Sequence, residues 1–509
     1  MESGGASRLH RAAGADRRRE LAFLLLVGGV LALGAAAEAP VRSFSLRSGT
    51  LTYKLVHKLH EVEGTTRSVE GRALLQEDGT AKVQVFPGQW HVTFSHGFEY
   101  DLYTADVSAP SGGSVAVGGR LNHVVDTVGW LSGDFHVHAQ GSPDADDLLE
   151  LKVRAFAGEG VEIPVSTEHE FIGDFGPTAK ALSLAPFMHT IAGTELTTTS
   201  TGHFNVFPLT PQPGSLNAGG FIWYNKTIPV VIAEARLRLT ADGIAPLVQM
   251  NHPRTAGMAY LDAVHFEPDT FSPGVDAPDF MKEWDAMEVW NGKPLELFEG
   301  CPGFAPGCVP PAHPTAYDWF GFLDRGYRVA GTGNSDSHNA STREVGYPRN
   351  FVHIGTTDDP AAVTDAQVTA AVQAMKVSIS GGPFLTISTA DADIGGLARA
   401  PGGVVHLMIK VQAPAWMGAL DRVDIWQGDT SARGAHVVQS ISVTELNKTV
   451  RLNTAVDLTV TQDTWFLATV RGSDVHALWP VVQEAVPAYA ITNPIFVDAD
   501  GNGRFDALR

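Results

Sequence analysis

Five times along the middle of this 509-residue chain, a short apolar run ends in a side chain able to bind a metal ion. The first leads into Asp134-Phe135-His136-Val137-His138. "VEIPVSTEHE" runs into Glu168 and His169, and "HTIAGTEL" into Glu195, with His203 following in "GHFNVF". "APLVQMNHPR" reaches His252, and "YRVAGTGNSDSH" reaches Asp336 and His338. Short apolar runs of this kind read as buried strands. Parallel α/β folds build their sites at the carboxyl ends of such strands. Two His at i and i+2 on a strand point to one face, where both imidazoles reach one cation at about 2.1 Å. A lone His-x-His also occurs as a pair of surface residues. The repeated placement after apolar runs is what argues for a site.

The texture on either side differs. Residues 38–128 read as short strands, such as "TLTYKLV", "AKVQVF" and "WHVTFS", with turns at Asp78-Gly79 and Pro87-Gly88, and a small β-sandwich is expected there. From 129 to 388, apolar strands alternate with amphipathic segments, as in an α/β domain with mostly parallel strands. Helices are expected over 144–158, 314–325 and 364–375. Strand texture returns over 389–497 ("VVHLMIKVQ", "DRVDIWQG", "TWFLATVRG"), which predicts a second small β-sandwich, and an Asp/Gly-rich tail occupies 498–509. In that tail Asp498, Asp500, Asn502 and Asp506 fall at positions 1, 3, 5 and 9 of a calcium loop with Gly503 at 6; position 12 would be Arg509, so the reading is either a weak calcium site or an exposed acidic tail.

Composition narrows the chemistry. Only two cysteines are present against nineteen histidines, so a cysteine-rich zinc or iron–sulfur site is excluded and metal chemistry falls to imidazole and carboxylate. That donor set suits zinc, manganese or iron. A formal charge of −20 argues against a nucleic-acid partner, which needs a basic surface. Residues 1–37 carry five arginines, then an apolar stretch from Leu21 to Ala37 closing in a small-residue A-x-A site, the pattern of an export signal; an uncleaved anchor is the other reading. Export to the periplasm, the cell surface or the medium, with no stable membrane insertion once the signal is removed, fits a local Cys301–Cys308 disulfide in "GCPGFAPGC". Oligomeric state is not legible.

The order HxH, then T-E-H, G-x-E, single histidines and finally D-x-H resembles the polymerase-and-histidinol-phosphatase (PHP) superfamily of metallohydrolases. "GWLSGDFHVHAQGSPDADD", "GHFNVF", "NHPR", "GNSDSH" and "SGGPFLTI" resemble its CehA/McbA, carbaryl-hydrolase-like, branch. The likeness covers roughly residues 85–390, from about "HGFEY", and includes "AITNPIFVDADG". It implies a distorted seven-stranded (β/α) barrel between the two β-domains and a cluster of two or three divalent metals. Carried over by position, His136, His138, Glu195 and Asp336 would hold the first. Glu195 would bridge to a second, completed by His203 and His252. Asp144, His169 and His338 would hold a third or tie the cluster together. Asp144 also precedes a helix, where an acid caps free N–H groups. The family motif more often has Asp at the position of Glu168, which bears on the support of the site rather than on the metal.

The function expected from these residues is hydrolysis of an ester, amide or carbamate bond of a small molecule by a metal-bridged hydroxide, with Asp336 as a base and Arg254 facing a developing anion. A surface ion pair is the other reading of Arg254, and Asn251 and Asn334 are weaker candidates for its role. A phosphoesterase of the same superfamily and a catalytically inactive surface-binding module are the competing functions. His123, His189, His265, His313 and His353 fall outside the motif and read as structural.

Overall fold

The computed structural model describes residues 85–509, except 255–258, 276–279, 293–313, 341–344, 356, 432–433 and 483–484; before 85 it describes only the backbone of short strands. The export signal and the Cys301–Cys308 loop lie outside the described residues. In the described residues no helix is long and apolar enough to cross a membrane.

The amino-terminal strands pair two by two and antiparallel: Leu51–His57 with His60–Thr66, and Gly88–Phe94 with Tyr103–Ala109. The chain then enters a mixed α/β region with many strands and few helices. Five strands form one sheet in the order Thr194–Thr197, His203–Phe207, Leu247–Met250, Ala286–Asn291, Ala330–Asn334. The first two pairings are antiparallel and the last two parallel. A longer sheet begins Ile191–Ala192, Ile163–Ser166, Trp130–Asp134, all parallel, and continues antiparallel through Arg349–His353 and Val377–Gly381.

The expected closed ring of seven strands is not what the ladders show: the sheets remain open toward each other. On one side the chain steps between them at Gly193, where an added Cβ would lie 2.9 Å from Val206 O and 3.0 Å from Ser166 O. On the other side, asparagine amides stand in for a ladder between Trp130–Asp134 and Ala330–Asn334. Asn334 Oδ1 accepts from Phe135 N at 3.0 Å, and Asn350 Nδ2 donates to Gly333 O at 2.9 Å and Gly133 O at 3.4 Å. Beyond this seam the backbones do meet, with Asp336 N donating to His136 O and Val137 bridging Ser337 in parallel.

The carboxy-terminal strands extend the longer sheet, because Val377–Gly381 pairs antiparallel with Tyr489–Thr492, followed by Thr464–Arg471, Arg422–Gly428 and Ala435–Ser442. A three-stranded sheet of Phe384–Ser388, Val404–Gln412 and Val450–Thr459 accompanies it. Val404–Gln412 alternates buried and less buried residues over most of its length, the pattern of a sheet with one face on a core. Thr464–Arg471 is buried at seven successive residues, as a strand covered on both faces must be. One apolar core runs from Leu131 and Ile163 through Trp290 and Ile379 to Ile491 and Phe496.

The described helices are short. The first spans Leu149–Gly158, so Asp144 lies before its first turn, and the residue at the cap, Leu148, makes no side-chain cap bond. Helices Thr315–Asp324 and Asp365–Gln373 match their expected ranges to within two residues. In the latter, Thr364 and Gln367 form a reciprocal capping box.

Candidate metal centre

Each apolar strand delivers its polar residue to one place because the strands Trp130–Asp134, Ile163–Ser166, Leu247–Met250 and Ala330–Asn334 end on the same side. His203 opens an antiparallel strand, so its amino-terminal end meets their carboxyl ends. Four overlapping groups have ligand atoms within 4.8 Å of one another: His136, His138 and Glu195; His136, His252 and Asp336; Glu195, His203 and His252; His138, His169 and His338. Buried imidazoles and carboxylates in this arrangement can hold metal ions.

Glu195 lies at the centre and is fully buried. Its Oε1 is 3.2 Å from His136 Nε2, 3.3 Å from His203 Nδ1 and 3.5 Å from His252 Nε2. Its Oε2 is 2.7 Å from His169 Nδ1. Asp336 Oδ1 is 3.4 Å from His136 Nε2, 3.3 Å from His138 Nε2 and 3.4 Å from His338 Nδ1. Asp144, the ninth expected ligand, is about half exposed and reaches His169 Nε2 at 3.3 Å and His338 Nε2 at 3.4 Å through one oxygen. Its position before the helix removes the capping role and leaves it between two imidazoles at the exposed edge of the cluster. Asp336 and His252 both adopt positive φ, 49° and 25°, which the surrounding bonds must hold in place.

The charges are mutually dependent. Burial opposes ionisation of Glu195, yet His136, His169 and His203 hold its carboxyl well below the usual range. Asp336 is likewise held low against burial, by His136 and His138. Burial would lower His136, but Asp336, Glu288 and Glu195 raise it well above an ordinary imidazole. His138 is driven by burial down to about 3. Two buried carboxylates therefore need positive charge beside them, which proton-loving imidazoles or a bound cation can supply. Two buried ring nitrogens that face Glu195 and Asp336, His136 Nε2 and His138 Nε2, make no hydrogen bond. Buried polar atoms are almost always bonded, so ligation is the use that fits these exceptions.

The supports fix which nitrogen faces inward. Ser142 Oγ donates to Glu168 Oε2 at 2.6 Å, so it accepts from His138 Nδ1 at 3.0 Å and leaves Nε2 toward the cluster. Glu168 also accepts from Ala139 N at 3.0 Å. It therefore orients the turn after His138, the supporting place expected for it. Asn251 Nδ2 donates to Glu195 Oε1 at 2.9 Å, and Asn334 Nδ2 to Glu288 Oε1 at 2.9 Å, so both amides hold carboxylates instead of facing a substrate.

Arg254 is not free to meet an anion. Its Nε and Nη2 form a bidentate pair with Asp318 at 2.7 Å each, and Nη1 contacts Asp262 at 3.0 Å. The ion-pair reading holds, with the difference that the pair is largely buried. Glu288 is a residue that ligand spacing did not single out. It lies inside the strand Ala286–Asn291, is fully buried, and touches His136 Nδ1 at 3.0 Å. A carboxylate in the middle of an apolar run, "DAMEVWNG", was the available signal.

The acidic tail folds around the carboxylate of Asp498, position 1 of the expected loop. Asp463, Asp498 and Asp500 bring oxygens together. Asp498 also accepts from the backbone of Gly501, Asn502 and Gly503, and Asp463 from Ala499 and Asp506. Asn502 and Asp506 bond each other at 2.9 Å.

Comparison with protein-family models and with curated proteins found no match. Among solved structures the chain is similar to a two-domain protein from Bacteroides vulgatus ATCC 8482 described as containing a predicted PHP-like metal-dependent phosphoesterase. The identity is 17%, the TM-score 0.34, and the match covers 67% of this chain and 91% of the other.

Proposed function

We propose that this chain is an exported metal-dependent hydrolase of the PHP type that cleaves an ester, amide or carbamate bond in a small molecule. The observation that carries the reading is the convergence of six histidines, Glu195 and Asp336 in one cluster, with His136 Nε2 and His138 Nε2 buried and unbonded at its centre. His136, His138, Glu195, Asp336, His203 and His252 would hold two divalent ions, zinc, manganese or iron, and His169, His338 and Asp144 a third. Such ions supply an acidic bound water and a Lewis acid for the substrate oxygen. The chain's own residues do the rest. Glu195 and Asp336 stay ionised at neutral pH, as metal-holding carboxylates must, and Asn291 Nδ2 donates to the second oxygen of Asp336 at 3.2 Å. Commitment of Arg254 to Asp318 removes a guanidinium that a phosphoryl dianion would use, which supports an uncharged acyl substrate. The Arg-rich, apolar first 37 residues support export.

The test is metal analysis of protein purified without chelator, paired with a substrate panel. Wild type should hold two or more equivalents and turn over aryl esters or carbamates but not nitrophenyl phosphates. Glu195→Ala should lose most of the metal and all turnover. Metal-free wild type would sink the reading, and retained stoichiometry in the variant would remove Glu195 from the bridge.

A further inference from the structure

We propose that Glu288 is a positioning residue that selects the tautomer in which His136 can bind metal. The inference rests on the metal-centre reading above and adds to it which proton pattern the site requires and which residue imposes it.

Glu288 is surrounded by four donors. Oε1 accepts from His136 Nδ1 at 3.0 Å and Asn334 Nδ2 at 2.9 Å; Oε2 accepts from His252 N at 2.8 Å and Asn291 Nδ2 at 2.9 Å. Three of the four cannot become acceptors. His252 N is a backbone amide. Asn334 is held in one orientation because its Oδ1 accepts from Phe135 N at 3.0 Å and Asn350 Nδ2 at 2.8 Å. Asn350 is fixed in turn, since its own Oδ1 accepts from Gly333 N at 2.9 Å. Asn291 Nδ2 also donates to Asp336 Oδ2, so turning it over would set its carbonyl oxygen against two carboxylates. The pocket therefore demands a side chain that accepts at both ends, which a carboxylate does and an amide does not. Facing it, His136 keeps a proton on Nδ1, and Nε2, set between Glu195 and Asp336, is the nitrogen left for a metal ion to take. A carboxylate behind a ligating imidazole is the arrangement that fixes tautomer and ring orientation in metal sites. The same carboxylate holds the backbone of His252 at its positive φ and, through Asn291, the second oxygen of Asp336.

An isosteric amide breaks this pattern in one direction only. In Glu288→Gln one end of the side chain becomes an NH₂ that meets donors. His136 is the single neighbour able to answer by accepting at Nδ1, which moves its proton to Nε2 and blocks ligation there.

The experiment uses the full chain loaded with zinc by dialysis, with ¹⁵N-histidine correlation spectra and zinc titration of wild type, Glu288→Gln and Glu288→Asp. In wild type His136 should carry its proton on Nδ1 with Nε2 shifted by metal. Glu288→Gln should bind one zinc equivalent about 10–100-fold more weakly, the size of effect that supporting residues produce. It should also show an Nε2 proton, while Glu288→Asp keeps the Nδ1 pattern. A Gln variant that binds zinc like wild type with His136 still protonated on Nδ1 overturns the inference and leaves the metal centre standing. If that variant does not fold, the wild-type spectrum decides, because a proton on Nε2 of His136 overturns the inference alone. Wild type that binds no zinc overturns the metal centre itself.

Discussion

Asp324 closes the helix Thr315–Asp324 with its carboxylate buried, accepting from Trp465 Nε1 at 2.9 Å and lying 3.3 Å from the Arg509 guanidinium. Burial outweighs both partners and pushes its pKa from the ordinary 3.8 up to about 7. The folded chain then binds this proton more tightly than the unfolded chain between those two values. Its contribution to stability is most favourable below the unfolded value and is lost as pH rises through the folded one. Wild type should therefore lose several degrees of thermal midpoint between pH 5 and pH 8. Asp324→Asn, which keeps the bond from Trp465, should show a flatter profile and be the more stable of the two at pH 8. Parallel profiles for the two proteins would reject the argument. At this scale, what could be read from sequence was chemistry that a residue carries by type and by its place after an apolar run: the six histidines, Glu195 and Asp336 come together. Which partners Arg254 and Asn334 take is not legible locally, because Asp318 and Asn350 are 64 and 16 residues away and no local pattern announces such a pairing.

Helix Leu149–Gly158 shows how an element serves the site from outside it. Lys152 points into the protein and is fully buried. Its ammonium contacts Asp147 Oδ2 at 2.8 Å and donates to Ser337 O at 3.0 Å and Ser337 Oγ at 3.1 Å. Asp147 in turn accepts from Ala340 N at 2.6 Å. The helix thereby clamps the segment between Asp336 and Ala340 from behind. Lys152→Met leaves a buried carboxylate without its cation, a loss of about 3–5 kcal/mol when one partner of a buried pair is removed. Adding Asp147→Asn should recover part of that loss, as read by urea unfolding at pH 7. A double variant no more stable than Lys152→Met would mean that the ion pair is not what holds the segment. The apolar spacing predicts the helix but starts it five residues early. Asp144 looked like a cap because acids crowd the segment, whereas its carboxylate is drawn out of the helix by His169 and His338.

For the whole molecule, the division into a central domain and a carboxy-terminal sandwich followed texture along the sequence, and texture is blind to sheet continuity. Ser378–Gly381 is hydrogen-bonded in register to Tyr489–Thr492, so the strand that finishes the central region is an interior strand only because the end of the chain returns to it. Asn493 fastens the return: Nδ2 donates to Gly331 O at 2.8 Å and Val377 O at 2.9 Å, and Oδ1 accepts from Gly331 N at 2.8 Å. Gly331 belongs to the strand that leads to Asp336, so this returning segment braces the candidate metal centre. Trp290, Ile379 and Tyr489 share one buried core, and Trp290 meets Tyr489 edge-on with ring centroids 5.7 Å apart. A chain ending at Ser388 would open a long unpaired edge and expose that core, both liabilities for solubility. It should fail to give a cooperative thermal transition and should lose bound metal, even though every candidate ligand is still present. If the shortened chain instead melts cooperatively and keeps its metal, the carboxy-terminal strands are an attachment domain and the central region folds without them.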